Sequence, residues 1–75
     1  MIKTVTPARA AEILREHGMR TSAETLKYGL SQGRFPFGEA IVNPTGDNTY
    51  YIYERLLMEW IGHREIKEIE YEHRN

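Results

Sequence analysis

Residues 21–36, TSAETLKYGLSQGRFP, contain the start, the body and the end of one short helix. Thr21 or Ser22 can cap this helix, and Glu24 follows Thr21 by three residues, so the two side chains can satisfy each other's free backbone N–H groups. Gly33 can adopt the left-handed conformation that closes a helix, and the proline at the end of the stretch prevents the helix from resuming. The stretch therefore predicts a helix of about ten residues, presented at the surface rather than enclosed.

The predicted second helix has one narrow apolar side. Leu26 and Leu30 stand four residues apart and can face inward. Gly29 costs roughly 1 kcal/mol relative to alanine in a helix, so it either permits close packing with the preceding helix or is simply tolerated. The remaining surface is rich in hydrogen-bonding groups, supplied by Glu24, Lys27, Tyr28, Ser31 and Gln32.

A first helix is predicted over residues 7–17. Thr6 and Pro7 are suited to the N-cap and first helical position, and Gly18 ends the helix. An apolar stripe at helical spacing consists of Ala10, Ala11, Ile13 and Leu14. The two alanines indicate a face that approaches a neighbouring helix closely, or they are only good helix formers.

Two β-prone runs follow, FGEAIV at 37–42 and TYYIY at 49–53, separated by NPTGDN. This pattern predicts a hairpin with a polar tip. Tyr51 and Tyr53 share one face of the second strand, and Tyr50 shares the other with Ile52. One of these faces is expected to join the core, which makes base stacking on the tyrosines the less favoured interpretation.

A third helix is predicted over residues 54–61, ERLLMEWI, with Leu56, Leu57, Trp60 and Ile61 on one face. Together these elements predict one small α+β domain over residues 1–62. Residues 63–75 form a charged tail that is either a helical extension or disordered.

Composition limits the function classes. The chain of 75 residues has no cysteine, and its ten Lys and Arg against eleven Asp and Glu give a net charge of −1. No run approaches the roughly 20 apolar residues that cross a bilayer, so we expect a cytoplasmic protein without a membrane partner. The histidines are far apart and no catalytic motif is present, so we expect no metal, no cofactor and no enzyme activity.

The order helix, turn, short helix, two-stranded wing and helix resembles the excisionase family of small phage and transposon proteins, which is related to the MerR-like winged helix-turn-helix domain. The resemblance covers about residues 4–62. It rests on Ala10 and Ala11, Ser22, Thr25, Gly33 and Pro36, Tyr51 to Tyr53, and Trp60. Two features depart from the family: the turn EHGMRTS is longer, and Lys27 and Tyr28 stand where arginines are common.

The resemblance implies double-stranded DNA binding in a phage or mobile element, with a recombinase or integrase and further copies of the chain on DNA as partners. A helix fits the major groove, where base edges distinguish the four base pairs. The candidate DNA-contact residues are Ser22, Glu24, Lys27, Tyr28, Ser31, Gln32 and Arg34 in and around helix two, and Asn43, Thr45 and Asn48 in the wing. The alternative for each is a solvated surface side chain.

Two other functions remain open, a small transcriptional regulator and a protein-interaction module on the same fold. The near-neutral charge favours the interaction module, since nucleic-acid binders are usually basic. Convergence of Lys3, Arg20, Lys27 and Arg34 on the face of helix two would favour DNA, whereas acidic neighbours around them would favour the interaction module.

Overall fold

The computed structural model describes residues 1–65, in which three helices pack with a three-stranded antiparallel sheet. The elements are β1 Thr4–Val5, α1 Pro7–Glu16, α2 Ala23–Ser31, β2 Gly38–Ile41, β3 Thr49–Tyr53 and α3 Glu54–Gly62. The predicted α+β class is confirmed. The predicted two-stranded sheet is wrong, because a third strand joins the hairpin. The prediction that the charged tail of residues 63–75 is a helical extension or disordered falls mainly on residues 66–75, which lie outside the described residues.

The sheet is centred on β3, with β1 and β2 on either side of it. On one side Thr4 pairs with Tyr53, and on the other Ile41 pairs with Thr49. The unpredicted strand β1 has only two residues, too few to show the alternation by which strands are recognised in a sequence. It ties the chain before α1 to the strand that leads into α3.

Helix α1 begins and ends as the sequence predicts. The Thr6 hydroxyl accepts a hydrogen bond from the Arg9 N–H at 3.0 Å, and Pro7 occupies the first turn. His17 is the C-cap rather than the last helical residue, and Gly18 follows with a φ of 91°. That angle is in the left-handed region, so glycine suits the position.

Helix α2 is capped by Ser22, whose hydroxyl accepts a hydrogen bond from the Thr25 N–H at 3.2 Å. The predicted reciprocal pair of Thr21 and Glu24 is wrong. Once Ser22 takes the cap, Thr21 lies one position too early to reach the free N–H groups of the first turn, and its hydroxyl oxygen is buried without a hydrogen-bond partner among residues 1–65. At the other end Gly33 has a φ of 68°, as predicted.

One apolar core joins the helices to the inner face of the sheet. Ala10 and Ala11 of α1 are fully buried, as a closely approached helix face requires. Phe37 packs against Phe35 and Trp60, with ring centroids 4.9 and 5.3 Å away, and the Phe35 and Trp60 centroids are 6.0 Å apart. The buried core consists of Ala10, Ala11, Ile13, Leu14, Leu26, Leu30, Phe37, Ile52, Leu57 and Ile61.

Two predicted packing details are corrected. A Cβ on Gly29 would overlap the Phe35 ring, so the glycine admits the segment after α2 rather than helix α1. In α3, Leu57 and Ile61 are buried and Trp60 packs against the core, but Leu56 is 42% exposed. Since α3 starts directly after β3, its orientation is set by the sheet, which turns the Leu57 and Ile61 side inward and leaves Leu56 at the edge.

Candidate nucleic-acid interface

The outer face of α2 is polar and open to solvent. Leu26 and Leu30 hold the helix on the core, which turns its opposite side outward. Tyr28 is 70% exposed and is the largest side chain on that side. Exposed residues in and around the helix include Ser22, Glu24, Ser31, Gln32 and Arg34. The structure thus places the predicted helix residues at the surface, except that Lys27 is half-buried.

Lys27 is held between a carboxylate and an aromatic ring. Its Nζ lies 3.6 Å from Glu24 Oε1 and 5.9 Å from the centroid of the Tyr50 ring. Both interactions are attractive and hold the ammonium group in place. Because Glu24 compensates that charge and Lys27 is the only Lys or Arg within α2, the helix itself presents almost no net positive charge.

The hairpin loop, residues 42–48, is held by its own hydrogen bonds. The Asn43 side-chain amide donates to the Asp47 carbonyl, and it also lies 3.4 Å from Thr49 Oγ1. The Gly46 N–H donates to the Asn43 carbonyl at 2.9 Å, with Gly46 at a φ of 93°. Asn43 therefore shapes the loop, while Thr45 and Asn48 are exposed at its surface.

Tyr50 connects the hairpin loop to α2. Its hydroxyl accepts a hydrogen bond from the Asn48 side-chain amide at 3.3 Å, while its ring faces Lys27. Glu24, Lys27, Tyr50 and Asn48 consequently form a continuous series of contacts, which we call the helix–hairpin row. Sequence reasoning did not assign Tyr50 to the candidate site. Strand alternation did place it on the same face as Ile52, and the burial of Ile52 shows that this is the inner face.

The four cations considered from the sequence differ in their partners. Lys3 Nζ pairs with Glu54 Oε1 at 3.3 Å, and Lys27 is paired as described. Within residues 1–65, Arg20 and Arg34 are both exposed and make no ion pair or side-chain hydrogen bond. The four cations considered from the sequence thus divide into two paired lysines and two unpaired arginines.

The outer face of the sheet carries a tyrosine–carboxylate hydrogen bond and large exposed side chains. Tyr53 Oη donates a hydrogen bond to Glu39 Oε2 at 2.6 Å. That bond to a carboxylate raises the pKa of Tyr53 above its ordinary value, since it favours the protonated phenol. Tyr51 and Ile41, at 44% and 46% exposure, lie on the same face.

An apolar groove of about 270 Å³ lies where the C-terminal ends of α1 and α3 meet. Two polar contacts lie among its lining residues. His17 Nδ1 is 3.1 Å from Glu65 Oε2, and the Arg64 guanidinium lies 4.1 Å from the centre of the Trp60 ring system. The groove is lined by Leu14, His17, Gly18, Met19, Trp60, Ile61, Arg64 and Glu65. It lies at the opposite end of α1 from the capped start at Thr6 and includes none of the helix–hairpin row.

Comparison with known proteins leaves the family open. No family model matches the chain, and neither a curated protein nor a solved structure matches it. In the part of the chain that the structure describes, no helix is long and apolar enough to cross a membrane. No group of three or more acidic or histidine side chains within that part is arranged to hold a metal ion.

Proposed function

We propose that this chain binds double-stranded DNA as a small winged helix-turn-helix protein of the excisionase type, encoded by a phage or other mobile element. In this proposal α2 enters the major groove, where a helix can read base edges. The β2–β3 hairpin acts as the wing beside it. The protein would work as an architectural factor that assists a recombinase, with further copies bound alongside on DNA.

The observation that carries the proposal is the helix–hairpin row. Contacts through Lys27 and Tyr50 join a short, capped helix to the hairpin that follows it. A DNA-binding surface of this kind needs both parts held in one orientation, because the helix and the wing contact the same stretch of duplex. The element order, with two consecutive helices before the hairpin and one after it, also supports the proposal.

The chemistry of α2 suits base edges better than phosphates. Tyr28, Ser31 and Gln32 carry neutral donors and acceptors, and the hydroxyl of Ser31 donates to the Tyr28 carbonyl at 2.7 Å. Its oxygen still offers acceptor lone pairs. Gln32 follows the helix as its C-cap and can pair with adenine in the way amide side chains do.

The test is duplex binding by a double variant of the helix. Wild-type protein is titrated into DNA fragments taken from the genomic neighbourhood of its own gene, and retained fragments are identified. Replacing Lys27 and Tyr28 together by alanine should weaken binding to those fragments at least tenfold, a loss equivalent to about 1.4 kcal/mol of binding free energy. The thermal transition of this variant should be nearly unchanged.

A matched control uses exposed residues of another helix, α3. Arg55 and Met58 on α3 also combine a cation with a large exposed side chain, and Arg55 is 90% exposed. Their double alanine variant should bind like the wild type. Equal binding by the α2 variant and the α3 control would contradict the assignment of α2 as the reading element.

One observation favours a second candidate, a protein-interaction module. The α1–α3 groove has apolar walls and a mixed-charge rim, and the net charge is close to zero. Protein partners commonly anchor an apolar side chain in such a groove. If no duplex binds at low salt, the protein-interaction module becomes the better account.

A transcriptional regulator would bind DNA but leave recombination unchanged in an excision assay.

A further inference from the structure

Arg20 and Arg34 flank α2 at the same sequence distance from its two ends. Arg20 lies three residues before Ala23, the first residue of the helix, and Arg34 lies three residues after Ser31, the last. Both side chains are exposed. The remaining cations of residues 1–65 are each engaged by a carboxylate, a backbone oxygen or an aromatic ring, namely Lys3, Arg9, Arg15, Lys27, Arg55 and Arg64.

Helix-closing hydrogen bonds hold the backbone at Arg34 and at Met19, the residue before Arg20. After α2, the Arg34 N–H donates to the Gly29 carbonyl at 2.9 Å and the Gly33 N–H donates to the Leu30 carbonyl at 3.1 Å. This is the Schellman arrangement. The end of α1 repeats it, with the Met19 N–H bonded to the Leu14 carbonyl at 2.9 Å. Arg20 is the next residue, so each arginine extends from a well-defined turn.

A helix of this size fits a DNA groove. With its side chains it is about 10–12 Å across, and the major groove of B-form DNA is about 12 Å wide, with one phosphate backbone along each side. Nine helical residues span about 14 Å along the helix axis at about 1.5 Å per residue. With α2 seated in that groove, one exposed guanidinium would lie near each end of the helix, where phosphates border the groove. Guanidinium groups bind phosphate oxygens through paired N–H donors.

We propose that Arg20 and Arg34 are the phosphate-binding residues of this surface and that Lys27 is not. The inference rests on the proposed DNA function and assigns the ionic part of it. Lys27 is excluded because its charge is already compensated by Glu24 at 3.6 Å and its position is fixed over Tyr50. Its part is to position the hairpin against α2.

The number of phosphates neutralised is measurable. Each neutralised phosphate contributes about −0.9 to the slope of log affinity against log salt. Two contacts predict a slope of about −1.8 for the wild type, which is about a tenfold loss of affinity between ~50 and ~200 mM salt. A short fluorescent DNA duplex of arbitrary sequence serves as the probe, since phosphate contacts do not depend on sequence.

The variants separate the two arginines from other charges. Arg20→Gln and Arg34→Gln should each make the slope shallower by about 0.9, leaving about a three- to fourfold salt effect over the same range. Arg20→Lys and Arg34→Lys should restore the wild-type slope. Arg55→Gln, the matched loss of one exposed charge on α3, and Lys27→Gln should both keep it. Thermal unfolding of each variant confirms that it folds.

Two outcomes overturn the inference in distinguishable ways. If the wild type binds with a clear salt slope, and Arg20→Gln and Arg34→Gln keep that slope or Lys27→Gln reduces it, the assignment of the arginines is wrong while DNA binding stands. If the wild type binds no duplex even at low salt, the DNA function fails and the inference fails with it.

Discussion

Gly29 lies directly beneath the ring of Phe35, and a Cβ on the glycine would overlap that ring. Phe35 in turn stacks on Phe37 with ring centroids 4.9 Å apart. The contact lets the segment after α2 fold back beneath the helix and bring Phe37 into the core. The glycine therefore contributes to the position of α2, the helix on which the proposed function depends.

Replacing Gly29 by alanine should destabilise the protein. Overpacking typically costs about 1–3 kcal/mol, and the better helix propensity of alanine offsets up to about 1 kcal/mol of this loss. We expect a net loss of about 1–2 kcal/mol in the free energy of unfolding, measured by urea denaturation with the single Trp60 as fluorophore. Gly62→Ala is the control, because a Cβ there meets nothing within 4 Å. It should be neutral or stabilising, and a similar loss in both variants would contradict this account.

Gly33 is required for its backbone conformation rather than for space. Its φ is 68°, while a Cβ at this position would lie in open solvent. An alanine there should cost about 1–2 kcal/mol, the usual penalty for a left-handed L-residue. Asparagine tolerates this conformation better, so Gly33→Asn should lose less. Equal thermal stability of the wild type and the alanine variant would show that the turn relaxes to another conformation.

Ile52 and Ile41 offer a matched comparison within one hairpin. Ile52 on β3 is fully buried, whereas Ile41 on β2 is 46% exposed. Ile52→Val should reduce the free energy of unfolding by about 0.5–1.5 kcal/mol, because a buried methylene is lost and a cavity remains. Ile41→Val should change it by less than about 0.5 kcal/mol. The reverse order of these losses in chemical denaturation would contradict the placement of the core on the inner face.

Tyr53 should make the stability of the protein depend on alkaline pH. Its hydrogen bond to Glu39 raises the pKa of the phenol in the folded state above its value of about 10 in the unfolded chain. The stabilisation is therefore fully present below about pH 10 and is lost as the pH rises through the folded-state pKa. Above that pH the wild type should lose stability more steeply than Tyr53→Phe. The difference in phenolate absorbance between the wild type and Tyr53→Phe isolates the titration of Tyr53 from that of the other four tyrosines.

Glu39→Gln should reduce the same pH dependence, since it removes the carboxylate that accepts the bond. Tyr28→Phe is the control, because Tyr28 is 70% exposed and its hydroxyl makes no hydrogen bond within residues 1–65. The free energy of unfolding of this variant should fall with alkaline pH as it does in the wild type. Identical alkaline profiles for Tyr53→Phe and the wild type would show that the Tyr53–Glu39 bond contributes nothing to folding.

Local signals in the sequence were sufficient for the elements that have their own start and stop. Thr6 with Pro7 marks α1, Ser22 and Gly33 delimit α2, and the turn residues of 43–48 separate β2 from β3. Each of these signals acts through backbone hydrogen bonds or dihedral angles of nearby residues. Such constraints can be recognised without knowledge of the tertiary structure.

Features that depend on distant partners could not be predicted in the same way. Strand β1 exists because Thr4 and Val5 pair with a strand almost fifty residues later. Gly29 is explained by Phe35, and the exposure of Leu56 by the direct junction of β3 and α3. In the candidate site, the pairing of Lys27 with Glu24 follows a helical spacing, but its contact with Tyr50 depends on how the hairpin packs.

The central claim is that α2 and the hairpin together form the DNA-binding surface, and amide chemical shifts measured during titration with a DNA duplex test it most directly. The account predicts that the largest changes fall on Arg20, the exposed residues of α2, Arg34, Asn48 and Tyr50. Amides lining the α1–α3 groove, such as Leu14 and Ile61, should change little. Changes concentrated in that groove, or no change with any duplex at low salt, would contradict the account.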